Sequence, residues 1–285
     1  MQLTHPDREL WPGISKHDLA EYWREVADVA LPEIAGRPLA FVRCPEGIDG
    51  QRFFQKRVTQ GFPAEIRAGT IERAPYLAID DVSGLLACAQ ISAIELHAWG
   101  ARLADPLHPD RVVFDLDPGE GVAFADVVRA AREVRDRLQE LNLTSFCRTT
   151  GGKGLHVVVP VRPHVPWDGV REFARGFAQA MQADSPQHYV ATLPKQQRRG
   201  HILVDWLRNG LGATSVVSFS PRARPGATVA TPLTWQEVSD SLDPMEYTIA
   251  TVPARLKRQR VDSWDGFAEL DQVIPATDSK PTRRR

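Results

Sequence analysis

Two aspartates separated by one residue, Asp115 and Asp117, end an apolar stretch and are followed by a Pro-Gly pair. Alternate side chains of a β-strand share a face, so both carboxylates point one way and Phe114 and Leu116 point the other. Like charges this close repel unless a cation lies between them, and Mg²⁺ and Mn²⁺ prefer oxygen ligands. The pattern predicts a divalent-metal site. The alternative is two surface aspartates on an edge strand before a turn.

A third acidic residue, Asp205, lies within another apolar run, residues 201–206. A charge in such a run is usually paired or bound to a metal, although it can also be a lone turn or edge carboxylate. Three carboxylates from two strands suit two metal ions about 3.5–4 Å apart, the spacing used for in-line phosphoryl or nucleotidyl transfer. We therefore predict that the three aspartates are both metal ligands and catalytic residues.

A glycine-rich turn, residues 151–154, joins two predicted strands. It is not a Walker A loop, because no Ser or Thr follows Lys153 and a strand rather than a helix comes next. Such turns expose backbone N–H groups that bind anions. Lys153 adds a positive charge, and His156 lies in the following strand. These residues predict a phosphate contact, and the alternative is a plain hairpin with a core histidine.

Helices and strands alternate along the chain, with short connections between several strands. Ser15 is a good N-cap for the first helix. Further helices are predicted at residues 82–98, 123–141, 170–182 and 235–242, and strands at 39–43, 52–55, 111–117, 144–150, 155–161, 201–208 and 216–219. This pattern predicts an α+β fold with a mixed sheet rather than a doubly wound parallel sheet.

A boundary near residues 103–110 is expected to separate two lobes of one structural unit. The N-terminal α/β lobe would comprise residues 1–103 and the catalytic lobe residues 104–275. Residues 276–285 are polar and basic and are expected to form a disordered tail.

The composition is ordinary for a soluble globular protein, with 42% hydrophobic and 25% charged residues among 285. No apolar run is long enough to span a membrane, and the N-terminus lacks a signal-peptide core, so we expect a cytoplasmic protein. Three isolated cysteines, Cys44, Cys88 and Cys147, are expected to be reduced, buried thiols rather than zinc ligands or disulfides. The net charge is −1. Basic clusters at residues 195–199, 255–260 and 280–285 are either phosphate-binding patches or solvated surface.

Seven motifs follow one another in order through residues 2–270. They are Leu3-Thr4-His5-Pro6-Asp7-Arg8 with Lys16; Phe53-Phe54-Gln55-Lys56; Glu95-Leu96-His97-Ala98-Trp99-Gly100; Asp115-Leu116-Asp117; Thr150-Gly151-Gly152-Lys153-Gly154-Leu155-His156; Asp205-Trp206; and Arg222 in Ser220-Pro221-Arg222-Ala223-Arg224. This ordered set resembles the polymerase domain of bacterial ligase D, in the archaeo-eukaryotic primase superfamily, which works in non-homologous end joining. The resemblance implies a primase-polymerase core with an RRM-like catalytic lobe.

The resemblance implies roles at the nucleotide site. The three aspartates match the family's metal ligands. His97 and Thr150 match residues near the incoming ribose, where the family uses the 2′-hydroxyl and tends to prefer ribonucleotides. Thr150 stands where serine is more usual, which keeps the hydroxyl and adds a methyl group. Triphosphate contacts match Lys153, His156, Arg222 and, as a further candidate, Arg208.

The resemblance also implies contacts with a DNA end. His5, Arg8 and Lys16 match a pocket for the 5′-phosphate of the downstream strand, and the family often has lysine where Arg8 stands. Phe53 and Phe54 match aromatic residues that stack on exposed bases, an interaction worth about 1–3 kcal/mol per base. Taken singly, these motifs have structural alternatives. Residues 5–8 fit an ordinary turn, Phe53 and Phe54 fit a core, and residues 97–100 fit a helix end.

Together with these residues, the resemblance implies a template-dependent nucleotidyltransferase that uses nucleoside triphosphates and two Mn²⁺ or Mg²⁺ ions. It would fill gaps and extend DNA ends in bacterial double-strand-break repair, with a Ku-like end-binding protein and a DNA ligase as partners. One alternative is gap filling in excision repair. Others are a Mn²⁺-dependent D-x-D transferase, a nuclease, and a DNA-end-binding module without catalysis.

Overall fold

The computed structural model describes residues 3–192, 194 and 198–275, and the chain passes repeatedly between two structural units. Unit 1 comprises the described parts of Met1–Pro106, Thr214–Thr231 and Asp243–Val261. Unit 2 comprises those of Leu107–Ala213, Pro232–Leu242 and Asp262–Arg285. The chain first passes from unit 1 to unit 2 between Pro106 and Leu107, within the predicted boundary region 103–110. Two later segments return to unit 1, so the two units are not the consecutive stretches 1–103 and 104–275. The predicted tail, residues 276–285, lies outside the described residues.

Unit 1 is built around a sheet and two packed helices. Its elements are β1 (Glu9–Trp11), β2 (Ile14–Ser15), α1 (Lys16–Ile34), β3 (Leu39–Arg43), β4 (Phe53–Gln55), β5 (Arg67–Ile71), β6 (Ala74–Ala78), α2 (Val82–Gln90), β7 (Ala93–Ala98), β13 (Ser215–Val216) and α5 (Thr251–Arg258). The sheet runs in the order β13-β7-β3-β6-β5, with β4 also paired to β3. Its core joins apolar residues of α1 and α2 to those of β3 and β7.

Helix α1 begins as the sequence predicts. The Ser15 hydroxyl accepts a hydrogen bond from the Asp18 N–H, and the Asp18 carboxylate accepts one from the Ser15 N–H. This reciprocal pair satisfies two N–H groups that the first helical turn leaves open. Behind the cap, Leu19, Trp23 and Val26 are fully buried on one helix face. The cap and the apolar stripe together fix where the helix starts and which side faces the core.

The predicted helix over residues 82–98 is wrong beyond Gln90. Helix α2 ends there, Ser92 has a left-handed backbone (φ 55°), and β7 follows. Pairing with β3 decides the outcome, because residues 93–98 fill a central position in the sheet. A continuous apolar run fits either a buried strand or a buried helix, and residues 91–92 include no Gly or Pro to mark the break.

Unit 2 has a six-stranded mixed sheet. Its elements are β8 (Arg111–Pro118), α3 (Phe124–Glu140), β9 (Phe146–Thr149), β10 (Leu155–Pro160), α4 (Trp167–Asp184), β11 (Tyr189–Val190), β12 (Ile202–Asp205) and β14 (Pro232–Leu233). The order is β11-β12-β8-β10-β9-β14. Strands β11 and β12 are parallel, and the other neighbours are antiparallel. This agrees with the predicted α+β class and mixed sheet.

The two faces of this sheet have different surroundings. Phe114 points to one face, where its ring lies 4.6 Å from that of Phe177 on α4. Val113 points to the opposite face and packs with Phe146, Val158 and Trp264. The residues next along that second face are polar, and they include the aspartates of β8. One half of the face is therefore a small apolar core, and the other half is available for chemistry.

Other predicted elements differ from the structure at their ends. The strand predicted at residues 201–208 stops at Asp205, and Leu207–Asn209 forms a 3-10 turn. The strand predicted at 216–219 is reduced to β13, because Phe219 has a left-handed backbone (φ 64°). The helix predicted at 235–242 is wrong, since these residues form turns. There the Trp235 indole N–H donates to the Ser145 carbonyl, which fixes the ring within unit 2.

Cys44, Cys88 and Cys147 are buried free thiols, as predicted. Burial raises the pKa of Cys88 and of Cys147 well above the ordinary range. Both thiols therefore stay protonated and unreactive. Within the described ranges, no helix has the length and apolar character to cross a bilayer.

Two glycines of unit 2 give a matched test of local packing. A Cβ added at Gly154 would meet the Leu116 carbonyl oxygen at 2.5 Å, whereas one at Gly176, on α4, would meet nothing within 4 Å. We expect Gly154→Ala to lower the free energy of unfolding by about 1–3 kcal/mol, because the obstructing atom belongs to the backbone of β8. Gly176→Ala should raise it by roughly 0.5–1 kcal/mol. Urea unfolding of both variants measures the difference, and equal effects would contradict the close approach at Gly154.

Candidate active site

Strand register places four polar side chains in one row across unit 2. His156 on β10 lies opposite Asp115 on β8 and also opposite Arg148 on β9, and Asp205 on β12 lies on the other side of Asp115. Directly opposed residues of neighbouring strands share a face and lie about 5 Å apart at Cβ. Arg148, His156, Asp115 and Asp205 therefore form a continuous line, here called the cross-strand row.

Contacts along the row give each group a defined partner. The Arg148 Nε–H donates to His156 Nδ1 at 3.3 Å, and His156 Nε2 lies 3.4 Å from Asp115 Oδ1. With Nδ1 acting as an acceptor, the neutral imidazole carries its proton on Nε2, toward the carboxylate. Arg148 is 1% exposed and His156 is 2% exposed. Sequence reasoning missed Arg148, although a charged residue in the apolar strand 146–149 is an unusual signal.

Arg208 neutralises the acidic end of the row. Its Nη2 lies 3.0 Å from Asp115 Oδ2, and its Nε lies 3.5 Å from Asp205 Oδ2. The Leu207 N–H also donates to Asp205 Oδ1 at 2.8 Å. The structure therefore brings together three predicted residues, Asp115, Asp205 and Arg208, with the predicted phosphate contact His156 beside them.

Burial and neighbouring charges both shift the pKa values of these groups. Burial alone would raise the pKa of Asp115, but His156 and Arg208 lower it well below its usual range. Burial lowers the pKa of His156. Burial raises the pKa of Asp205, and the neighbouring Asp115 charge adds to this while Arg208 opposes it. At neutral pH the row therefore holds an ionised Asp115 beside a neutral His156.

Asp117 lies two residues further along β8, opposite Leu203. Its carboxylate is half exposed, and Arg198 Nη1 lies 3.5 Å from Oδ2. No group of three or more His, Cys, Asp or Glu side chains arranged to hold a metal occurs among residues 3–192, 194 and 198–275. The three aspartates nevertheless offer only oxygen donors, from adjacent strands, as hard divalent cations require. The donor chemistry fits such an ion, and the predicted ligand set stays a prediction.

Asn209 holds the turn that carries Arg208. Its amide oxygen accepts from the Val113 N–H at 2.8 Å, and its amide nitrogen donates to the carbonyls of Val113 and Trp206. The side chain, 1% exposed, thus takes the place of a strand partner for β8. Sequence reasoning missed this residue, because a single Asn after a strand gives no signal for a contact across 96 residues.

The glycine turn is closed by its own residues. The Thr150 N–H and hydroxyl both donate to the Gly154 carbonyl, at 3.1 Å each. Gly151 has a left-handed backbone (φ 63°), which glycine adopts without strain. Lys153 is exposed. The predicted contacts of Thr150 with ribose and of Lys153 with phosphate stay predictions.

In unit 1, a buried carboxylate joins two of the predicted nucleotide contacts. Glu95 Oε2 lies 2.9 Å from His97 Nε2 and 3.2 Å from Arg222 Nε. The Ala223 N–H donates to Glu95 Oε1 at 2.9 Å. Burial alone would raise the pKa of Glu95, but His97 and Arg222 lower it to about 2. The sequence motif that contains Glu95 does not itself predict the role of this residue as a common partner of His97 and Arg222.

The predicted 5′-phosphate residues occupy the start of unit 1. Lys16 is 3% exposed, and its ammonium donates to the carbonyls of Thr4 and Gln90, the latter at the end of α2. Burial, and then the charge of Arg8, lowers the pKa of Lys16. His5 and Arg8 are exposed, and Arg8 Nη1 donates to the Pro45 carbonyl. Arg8 and Lys16 thus share one electrostatic environment, while binding of a phosphate there stays a prediction.

Phe53 and Phe54 on β4 are 41% and 57% exposed, so the alternative of core residues is wrong. The Phe54 ring lies 6.1 Å from the His97 ring, edge to face, and 5.6 Å from Lys56 Nζ. Two neighbouring exposed aromatic side chains beside a lysine suit stacking on a nucleobase.

Comparison with known proteins identifies a close family. The model of the LigD primase-polymerase domain matches residues 15–264. A multifunctional non-homologous end joining protein LigD from Pseudomonas aeruginosa is 34% identical over 97% of this chain, and that from Mycolicibacterium smegmatis is 35% identical over 100%. The chain spans 34% and 38% of the lengths of these two relatives, respectively.

A solved structure supports the same family. The polymerase domain from Mycobacterium tuberculosis ligase D, in complex with DNA, matches with a TM-score of 0.87 at 34% identity. The match covers 95% of this chain and 99% of that one. The predicted α+β fold and the predicted family are both confirmed. The chain belongs to the LigD primase-polymerase domain family and is a nucleotidyltransferase of the primase-polymerase type.

Proposed function

We propose that this chain fills gaps and extends DNA ends during non-homologous end joining, by adding nucleotides to a 3′-hydroxyl opposite a template. The observation that carries the proposal is the cross-strand row, in which Asp115 and Asp205 face each other beside His156 and Arg208. Two opposed carboxylates beside a guanidinium and a hydrogen-bonding imidazole suit a reaction that manages the negative charge of a triphosphate. Family membership supports the same reaction class.

Asp115, Asp117 and Asp205 are proposed to hold two divalent cations, Mn²⁺ or Mg²⁺. When bound, the ions would lower the pKa of the attacking 3′-hydroxyl and neutralise charge on the leaving pyrophosphate. The protein's part is to keep the carboxylates ionised and aligned. Strand register aligns Asp115 with Asp205, and the positive charge of Arg208 favours ionisation of both. Arg208 is 42% exposed, so its guanidinium is also accessible to a phosphate group.

The nucleotide and the DNA end would be recognised by the remaining predicted residues. His97 and Thr150 are proposed to contact the ribose, with a preference for ribonucleotides. Lys153, His156 and Arg222 are proposed to contact the triphosphate. The neutral His156, with its Nε2 proton facing Asp115, acts as a hydrogen-bond donor rather than as a cation. On the DNA side, His5, Arg8 and Lys16 would receive the 5′-phosphate, and Phe53 and Phe54 would stack on bases.

The longer relatives are named as multifunctional end-joining proteins. For this chain we propose that sealing of the filled gap is done by a DNA ligase and that a Ku-like protein holds the ends, in the bacterial cytoplasm. The alternatives are an excision-repair polymerase, a D-x-D transferase, a nuclease and a silent DNA-end-binding module. Extension of a gapped substrate by NTPs, without degradation of the primer, distinguishes the polymerase from the last three. Dependence on Ku and ligase for joining distinguishes end joining from excision repair.

The first prediction concerns the aspartates. Asp115→Asn and Asp117→Asn keep the side-chain size but remove the charge that holds cations, so extension of a gapped primer should fall at least roughly a hundredfold. DNA binding, measured by fluorescence anisotropy, should change by less than about threefold, because neither change adds or removes a cationic contact to phosphate. Asp271→Asn is the matched control, since it removes an exposed unit 2 carboxylate that is paired with Arg162. Normal extension by either aspartate variant would refute the assignment.

The second prediction concerns the 5′-phosphate. Lys16→Met removes the ammonium but also leaves the carbonyls of Thr4 and Gln90 without their donor. A structural effect would weaken binding to phosphorylated and unphosphorylated gaps equally. We expect instead that the preference for the 5′-phosphorylated gap falls by roughly tenfold, the value of a charge-assisted contact.

Lys257→Met is the control for this second prediction, because it removes an exposed unit 1 lysine paired with Glu25. The ratio of the two dissociation constants, measured at fixed salt for both variants, is the readout. An unchanged ratio in Lys16→Met would remove Lys16 from the proposed phosphate pocket.

A further inference from the structure

We propose that Glu95 is a positioning residue that holds His97 and Arg222 together as one nucleotide-contacting group. The inference rests on the proposed function, in which both of these residues contact the incoming nucleotide. Glu95 itself would touch neither nucleotide nor DNA. Its effect is exerted through the two side chains that it orients.

The geometry around Glu95 is that of a shared anchor. One carboxylate oxygen, Oε2, lies 2.9 Å from His97 Nε2 and 3.2 Å from Arg222 Nε, and the other accepts from the Ala223 N–H. The side chains of Glu95, His97 and Arg222 are only 8%, 16% and 13% exposed. An imidazole nitrogen, a guanidinium and a backbone N–H therefore surround one buried anion.

Only an ionised carboxylate can serve these three partners. A glutamine of the same size is uncharged and has one acceptor oxygen, so its amide nitrogen would have to face the imidazole, the guanidinium or the backbone N–H. The charge of Glu95 is secure, since its pKa is lowered to about 2. An uncharged replacement must therefore release at least one partner, and the loss falls on His97, Arg222 or the backbone of Ala223.

Other contacts hold the backbone around Arg222 independently of Glu95. The Trp11 indole N–H donates to the Arg222 carbonyl at 3.0 Å, and the Tyr22 hydroxyl donates to the Phe219 carbonyl at 2.7 Å. The Ser220 hydroxyl accepts from the Leu96 N–H at 2.8 Å. The segment is thus tied to β1, α1 and β7 without the carboxylate. We infer that Glu95 sets side-chain orientation at this site rather than the fold of unit 1.

The test compares Glu95→Gln with the wild-type chain in single-nucleotide filling of a 5′-phosphorylated gap. We expect the KM for the nucleotide to rise roughly tenfold or more, as for loss of charge-assisted hydrogen bonds. The KM for the gapped DNA should stay within about twofold, because Glu95 contacts none of the residues that are proposed to bind DNA. Asp80→Asn is the matched control, because it removes a unit 1 carboxylate that is paired with Arg67 and with the Gly36 N–H. An unchanged nucleotide KM, or equal changes in both KM values, would overturn the inference.

A cycle of variants provides a readout that a general structural defect would not move. His97→Ala should raise the nucleotide KM by a much smaller factor in the Glu95→Gln variant than in the wild-type chain, because the imidazole has then already lost its carboxylate partner. If the double variant raises the nucleotide KM by the product of the two single-variant factors, the two residues act independently and the proposal is contradicted. If Glu95→Gln does not fold, as judged by its thermal unfolding, the cycle of His97→Ala with Arg222→Ala replaces it. If the KM of that double variant rises by the product of the two single-variant factors, the coupling of His97 and Arg222 is overturned.

This inference can fail separately from the proposed function. Binding of an NTP by the protein can be measured on gapped DNA with a 3′-dideoxy primer end, where no nucleotide is incorporated. This measurement reports on Glu95 even if extension is absent. A wild-type chain that binds NTP but extends no primer would overturn the proposed function alone. A wild-type chain that extends normally, with Glu95→Gln unchanged in nucleotide binding, would overturn this inference alone.

Discussion

The opposition of Asp115 and Asp205 across two neighbouring strands is the constraint on which the site depends. Two carboxylates fixed by backbone pairing cannot move apart to relieve their repulsion, so positive charge must be supplied to them. In the structure Arg208 supplies it, held by a turn that Asn209 fastens to β8. Burial raises the pKa of Asp205, whereas His156 and Arg208 lower the pKa of Asp115 despite its burial. The same repulsion is what makes the pair suitable for binding cations.

Register extends this constraint across the sheet. A slip of one residue between β8 and β12 would turn Asp205 to the face where Phe114 packs against α4 and would break the line at Asp115. Apolar pairing fixes the register of β8 with β10 and β9, because Val113, Val158 and Phe146 form the next row on the same face and pack on Trp264. This small core therefore aligns Asp115 with His156 and Arg148 in the neighbouring row.

The sequence predicted those parts of the molecule that depend on local pattern. The alternation around Asp115 and Asp117, the cap at Ser15 and the helix predicted at residues 123–141 each depend on residues within a few positions of one another, and the predicted elements are present. Arg148, Asn209 and the shared role of Glu95 could not be found in this way, since each acts on residues that only the fold brings near. The helix predicted over 82–98 failed for a related reason. Pairing with β3, a partner about 50 residues earlier, turned residues 93–98 into a strand.

The path of the chain between the two units has a consequence for how the molecule is made. Trp11 and Tyr22, near the start of unit 1, hydrogen-bond to carbonyls at residues 222 and 219, and β7 pairs with β13 at residues 215–216. All of unit 2 from residue 107 to 213 is synthesised between these partners. A nascent chain emerging from the ribosome therefore cannot complete unit 1 until most of unit 2 has left the tunnel. Such long-range closure slows folding, and the indole and phenol donors that later anchor the Arg222 segment have to wait, during synthesis, for carbonyls not yet made.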